Sequence, residues 1–195
     1  YKDFKNFFIH NLKDKKIIKC FFFSRVHKQK GIEELIKSWS LIKHPKLRLT
    51  LFGSGDALYE KYLKDLVSKN KNKKNITISF QKKIKKNKIY QKNSILILPT
   101  YSESFGLVIL EALFSGNIVI TSKFTPWNFL KKNSLIYFTD INPLSISKKI
   151  NFVLNNFNNK KYKKDYNFLH NYIKKNFLWE KISKNYVKLI SEIKD

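Results

Sequence analysis

A chain of 195 residues with 43% apolar side chains is long enough to bury a core, which excludes a disordered tail. The formal charge of +26 points first to nucleic acid, because clustered cations release counterions from a phosphate backbone. Yet of the 40 basic residues only Arg25 and Arg48 are arginine, and the lysines come with abundant Asn, Ile, Phe and Tyr, the mixture that adenine- and thymine-rich codons produce, so no specific nucleic-acid partner is expected.

The same lysines suit peripheral contact with anionic lipid, at about 1 kcal/mol per nearby charge. The longest apolar stretches, Ile17–Phe23 and Phe105–Phe114, fall short of the roughly 20 residues of a membrane span, and no signal-peptide pattern occurs. Cys20 stands alone, so it makes no internal disulfide and suits a reducing compartment. The expected location is the cytoplasm, with room for a peripheral position on the inner face of the membrane. The chain contains no Met and opens on Tyr1-Lys2-Asp3, which leads us to expect a piece of a longer polypeptide.

In chain order, residues 1–14 read as an interdomain segment. Apolar strand-like runs then follow at Ile17–Phe23, Leu47–Phe52, Ile76–Phe80, Ile95–Leu98, Ile118–Thr121 and Leu135–Phe138. Helical stripes separate them: Ile32, Leu35, Ile36 and Trp39; then Leu58, Tyr62, Leu63 and Leu66; then Leu107, Leu110, Leu113 and Phe114. Strands alternating with helices predict an α/β, Rossmann-like, doubly wound parallel sheet over residues 15–156. Lys69–Lys74 and Asn155–Lys164 read as solvated loops. Residues 157–195 read as a helical tail, with helices at Lys160–Lys175 and Leu178–Ile193.

Chemistry concentrates where predicted strands hand over to helices, the places where open α/β sheets bind ligands. After the first strand, Arg25 and Lys30 flank a turn, and a guanidinium fork fits phosphate oxygens in a way lysine does not. After the second, Gly53-Ser54-Gly55 forms a turn able to bring backbone N–H groups to phosphate or sugar oxygens. It lacks the third glycine of the dinucleotide fingerprint, which counts against a dehydrogenase. After the fourth, the run from Pro99 through Glu103, Phe105 and Gly106 enters a helix expected to begin near Ser104–Gly106, whose unpaired amides form an anion site. Glu111 lies five residues further on, about 7.5 Å along a helix that rises ~1.5 Å per residue. It interrupts an apolar segment, where a lone carboxylate is costly. A bidentate bond to a ribose diol accounts for it, and a buried pairing with a lysine is the alternative.

Taken together, Arg25, Lys30, Gly53, Gly55, Glu103, Phe105, Gly106, Glu111, Ala112 and Gly116 resemble, in order and spacing, glycosyltransferase family 4, the retaining enzymes of GT-B fold. The resemblance covers almost all of residues 15–195. It implies one half of a GT-B fold, the C-terminal nucleotide-sugar-binding domain, with C-terminal helices. The N-terminal acceptor domain is then absent, and a hexosyltransferase-type piece of this kind is expected to be inactive alone. It further implies that Arg25 and Lys30 hold the donor diphosphate and that Glu111 holds the ribose. The amides around Phe105, Gly106 and Leu107 would meet the distal phosphate, and Glu103 the transferred sugar. Two departures, Ser79-Phe80 and Ser94, leave the base open. The loop Phe124-Thr125-Pro126-Trp127 is similar to that of members building lipopolysaccharide or capsule. Phe177-Leu178-Trp179 resembles the segment by which this family's tail crosses back to the N-terminal domain.

The expected reaction moves a sugar from a nucleoside diphosphate to a glycan or lipid-linked acceptor with retention, in cell-surface polysaccharide synthesis. Negative charge develops on the leaving phosphate, and Arg25, Lys30 and the helix mouth would stabilise it. The chain has no Asp-x-Asp pair, and two cations can replace a metal, so no metal or other cofactor is expected. His27 reads as structural, and no general base emerges. The competing readings are a non-catalytic nucleotide-sugar or nucleic-acid-binding module, and another GT-B enzyme such as a phosphorylase or epimerase.

Overall fold

A computed structural model of the protein describes residues 16–81 and 85–177, together with Ser183, Val187, Ile190 and Ser191. Six strands form the sheet: β1 (Ile18–Phe23), β2 (Leu47–Gly53), β3 (Ile76–Phe80), β4 (Ile95–Leu98), β5 (Ile118–Ser122) and β6 (Ile136–Thr139). All neighbours pair in parallel, in the order β3-β2-β1-β4-β5-β6. Central strands of such a sheet are covered on both faces, which is why β4 and β5 are buried at every position. The strand order reverses between β1 and β4, and a crevice opens there at the carboxyl ends. The Rossmann-like expectation holds, with strand ends shifted by one residue at most.

The connecting helices are α1 (Ile32–Trp39), α2 (Ala57–Ser68), α3 (Lys86–Lys92), α4 (Leu107–Phe114), α5 (Pro143–Asn156) and α6 (Asn159–Phe177). In α1, Ile32, Leu35, Ile36 and Trp39 are buried as their spacing predicts. Side-chain oxygens of Asp56 and Asn142 cap α2 and α5, each accepting from the backbone three residues on. Helix α5 packs on α1, and α6 on α4. Cys20 is fully buried in this core, and burial pushes its thiol up, away from thiolate reactivity.

Three expectations need correction. In α2 the stripe is rotated: Leu58 is 79% exposed and Tyr62 faces solvent, while Leu63 and Val67 are the buried residues. Tyr59 and Tyr62 instead donate from their hydroxyls to the two oxygens of Glu33 on α1, so polar bonds draw that face aside. The Lys69–Lys74 stretch is a clasp rather than a solvated loop. The Asn70 amide donates to the Ile36 carbonyl and the Asn72 amide to those of Trp39 and Ile42, which satisfies carbonyls at the end of α1. Asn155–Lys164 is largely helical, broken only at Phe157–Asn158, because Tyr162 is buried against Phe157 and its hydroxyl donates to the Gly116 carbonyl. Residues 1–14 lie outside the described residues. So does most of the second expected tail helix; Ser183, Val187, Ile190 and Ser191 within it are helical.

Candidate functional site

The loops after β1, β2 and β4 are joined by their backbones. The Val26 amide donates to the Ser54 carbonyl at 2.9 Å, and Val26 pairs with Gly55 as a parallel bridge. A Cβ on Gly53 would stand 2.0 Å from the Ser24 carbonyl oxygen, and one on Gly55 2.1 Å from that of Val26. Gly53 also has a φ of +146°, in the region side chains rarely enter. The two glycines therefore let the β2 turn lie flush against the β1 turn. The Gly55 amide is already given to Glu60 Oε1 at 2.7 Å, so of the two expected contacts only Gly53 borders the crevice described next. On the other side, the Tyr101 amide and the Thr100 hydroxyl both donate to the Gln29 carbonyl, tying the β4 loop to the β1 loop.

A crevice of about 410 Å³ opens where these loops meet. Arg25, Gly53, Leu107 and Val108 line it, with Gln81 and Lys86 closing one side. Arg25 is exposed and makes no ion pair among the described residues. Helix α4 begins at Leu107, slightly later than expected, after Gly106 in the left-handed conformation, and has no side-chain cap. The amides of Ile109 and Leu110 both turn to the Gly106 carbonyl, while those of Leu107 and Val108 have no partner among the described residues. Two backbone donors at the positive end of a helix dipole thus border the same crevice as a guanidinium. Leu107, expected in the buried stripe, is 55% exposed because it stands at this opening.

Lys30 and Glu103 meet one another beside the crevice rather than on its lining. Lys30 is buried; its Nζ donates to Glu103 Oε2 at 2.8 Å and to the Ser102 carbonyl at 3.3 Å. The pair lies at the mouth of α4, since a Cβ on Gly106 would be 3.2 Å from Glu103 Cγ. The loop between them is braced by Trp127, buried in the Thr-Pro-Trp segment, whose indole N–H donates to the Phe105 carbonyl at 2.7 Å. Phe105 and Phe177 pack on the same indole, so Trp127 positions the loop. Residues 178 and 179 lie outside the described residues. Nearby, the Tyr101 phenol is pushed above its ordinary value by burial, then by the charge of Glu34, and stays protonated.

Glu111 is buried and partnered on both oxygens. The Tyr90 hydroxyl donates to Oε2 at 2.6 Å, and Lys86 Nζ stands 3.4 Å from Oε1. Tyr90 is wedged under α3 by edge-on contacts with Phe21 and Phe23. The lysine pairing held open in the sequence is therefore present, but its cation is half-exposed and sits on the crevice rim. Lys86 and Tyr90 escaped sequence reading: each is one of many lysines or tyrosines, and only the crossover of α3 brings them to Glu111. His27 caps the turn that follows β1, its Nδ1 accepting from the Gln29 amide. Among the described residues no three His, Cys, Asp or Glu gather as a metal would need, and no helix is long and apolar enough to cross a membrane.

The family model described as glycosyl transferases group 1 matches residues 3–170. A glycogen synthase of Petrotoga mobilis is 26% identical over 91% of this chain and 38% of its own length. The chain spans less than half the length of that and the other curated relatives it matches. Among solved structures, the C-terminal domain of a group 1 family glycosyl transferase (LpcC) from Francisella tularensis superposes with a TM-score of 0.72 at 21% identity, over 91% of this chain and 97% of that one. The Anabaena protein HepE, solved in complex with UDP-glucose, superposes with a TM-score of 0.77 at 16% identity, over 90% of this chain and 49% of that one. These solved structures share the fold: a Rossmann-like sheet of the kind found in the C-terminal domains of GT-B glycosyltransferases.

Proposed function

Since the chain belongs to the group 1 glycosyl transferases, we propose that it is the donor-binding half of a retaining enzyme of family 4 that builds cell-surface polysaccharide, with the acceptor held by a separate N-terminal domain. One observation carries this reading: Arg25 and the unpartnered amides of Leu107 and Val108 border one crevice at the switch point of the sheet. A diphosphate seated there receives a bidentate cation and two oriented backbone dipoles. HepE, solved with UDP-glucose, shares this fold, which supports a nucleotide sugar as the occupant.

In this reading the leaving diphosphate gathers negative charge as the sugar departs, and these donors stand preorganised against it. Lys30 holds Glu103 and retains a third N–H for a phosphate oxygen, since an ammonium has three. Glu103 Oε1 faces the transferred sugar. Glu111 Oε1 exchanges Lys86 for a ribose hydroxyl while Tyr90 keeps Oε2 in place. Gly53 brings backbone to the donor, and Gly55 serves by packing. The reaction needs no metal, because cationic and backbone donors take the charge a divalent ion would take. The protein acts in the cytoplasm, its lysine-rich surface favouring the inner face of the membrane, and the Thr-Pro-Trp loop favours lipopolysaccharide or capsule synthesis.

Calorimetric titration of the 195-residue chain with UDP, GDP and ADP tests the reading. Arg25→Ala is expected to weaken the preferred nucleotide by more than about tenfold, or 1.4 kcal/mol. Unchanged affinity removes Arg25 from the site and the reading with it.

A further inference from the structure

Strand β1 carries a lysine where a covered parallel sheet carries an apolar residue. Lys19 is exposed in the middle of the sheet, and its register partner on β2 is Arg48. Like charges set opposite one another across a strand pair repel. Three more cations, Lys88 and Lys92 on α3 and Lys85 just before it, line the same groove of about 600 Å³. No carboxylate lines this groove, and none of the five cations makes an ion pair among the described residues. A lysine-rich composition accounts for lysines on protruding surface. It does not account for a lysine beside one of the chain's two arginines on the face of a central strand pair.

The groove lies beside α3, whose Tyr90 packs on Phe21 and Phe23 of β1. Beyond it the face of β2 and β3 presents Thr50, Thr77 and Ser79, with Gln81 and Asn93 at the two ends. From Arg48 to Phe52 this face runs roughly 13 Å at ~3.3 Å per residue. The guanidinium of Arg48 is steadied by the carbonyls of Pro45 and Leu47, each at 2.8 Å, which fixes its remaining donors. Gln81 borders both this groove and the crevice of Arg25.

We propose that this groove is a second binding site, for an acidic glycan chain whose carboxylate or phosphate groups meet the cations and whose hydroxyls meet the Thr, Ser, Gln and Asn side chains. The proposal rests on the glycosyltransferase reading only in its choice of a sugar polymer. Among the described residues a single aromatic, Phe52, lines the groove, which is no platform for stacking successive bases. The groove is concave and floored by threonines, where a lipid surface would be met by projecting apolar side chains.

Titration of the 195-residue chain with oligogalacturonate tests it, run beside neutral malto-oligosaccharide, oligothymidylate and phosphatidylglycerol vesicles. The triple substitution K19Q/K88Q/K92Q is expected to weaken oligogalacturonate binding by at least about tenfold. A charge-matched control, K148Q/K149Q/K161Q on α5 and α6, is expected to stay within about twofold of the parent. No binding by the parent, equal loss in both triples, or tighter binding of oligothymidylate or vesicles at the groove overturns the proposal. Should the groove triple fail to fold, lysine acetylation of the parent decides: oligogalacturonate protects Lys19 and Lys88, or the proposal fails. UDP titrated into the same samples reads the donor crevice separately, so failure of one site is distinguishable from failure of the other.

Discussion

Gly53→Ala is the substitution whose outcome separates packing from ligand contact at the Gly-x-Gly turn. The added methyl would stand 2.0 Å from the Ser24 carbonyl oxygen, and real Cβ contacts essentially never fall below 3.0 Å, so the β1 and β2 turns must part by about 1 Å. A backbone φ of +146° held by a residue with a side chain costs about 1–3 kcal/mol. Parting the turns also strains the bond from the Val26 amide to the Ser54 carbonyl, worth about 1–3 kcal/mol if left unmade in a buried setting. A loss of about 3 kcal/mol lowers the melting temperature of a domain this size by roughly 6–12 °C. Since Arg25 lies on the displaced turn, nucleotide affinity is expected to fall as well. Scanning calorimetry and nucleotide titration on the same sample read the two effects. A variant that melts with the parent refutes the packing argument, and one that melts normally but loses nucleotide returns the glycine to direct ligand contact.

For Glu111→Gln we expect selective loss of the preference for ribonucleotides over deoxyribonucleotides, and equal discrimination by parent and variant in calorimetry would contradict the ribose role. Tyr90→Phe leaves a buried carboxylate oxygen without its donor and is expected to destabilise by about 1–3 kcal/mol in urea, whereas an unchanged midpoint would show that the 2.6 Å bond contributes little. His170 stacks on Phe114, and burial, followed by the charge of Lys174, holds its imidazole below its usual 6.5. The unfolded chain then binds the proton more readily, so this contribution is complete above pH 6.5 and declines as pH falls toward the lowered folded value. Melting temperature should drop on going from neutral pH into the mildly acidic range, and His170→Phe should flatten that slope.

Most of the sheet was legible because its strands are short apolar runs separated by turn residues, and burial on both faces writes itself plainly in β4 and β5. Motif glycines and Arg25 were legible too, but for reasons the sequence mixes together. Spacing cannot tell a glycine that admits a phosphate from one that admits a neighbouring carbonyl, as at Gly55. The rotated face of α2 was hidden because Leu58 obeys the helical period while tyrosine hydroxyls, drawn to Glu33, decide which side turns inward. The partners of Glu111 were hidden for a different reason. Lys86 and Tyr90 precede it by 25 and 21 residues, a separation bridged only by tertiary packing. Asparagines at 70 and 72 looked like loop filler and proved to be bound to the end of a distant helix.

Because Tyr90 and Lys86 occupy Glu111 from within the chain, the unliganded protein has no orphaned carboxylate to relieve. Its folding is therefore not held hostage to cargo, and nucleotide should raise the melting point only by the mass-action increment set by concentration and affinity. If Glu111 takes a ribose as proposed, the half-exposed amine of Lys86 is the resident that a guest must displace, and every arriving guest is weighed against it.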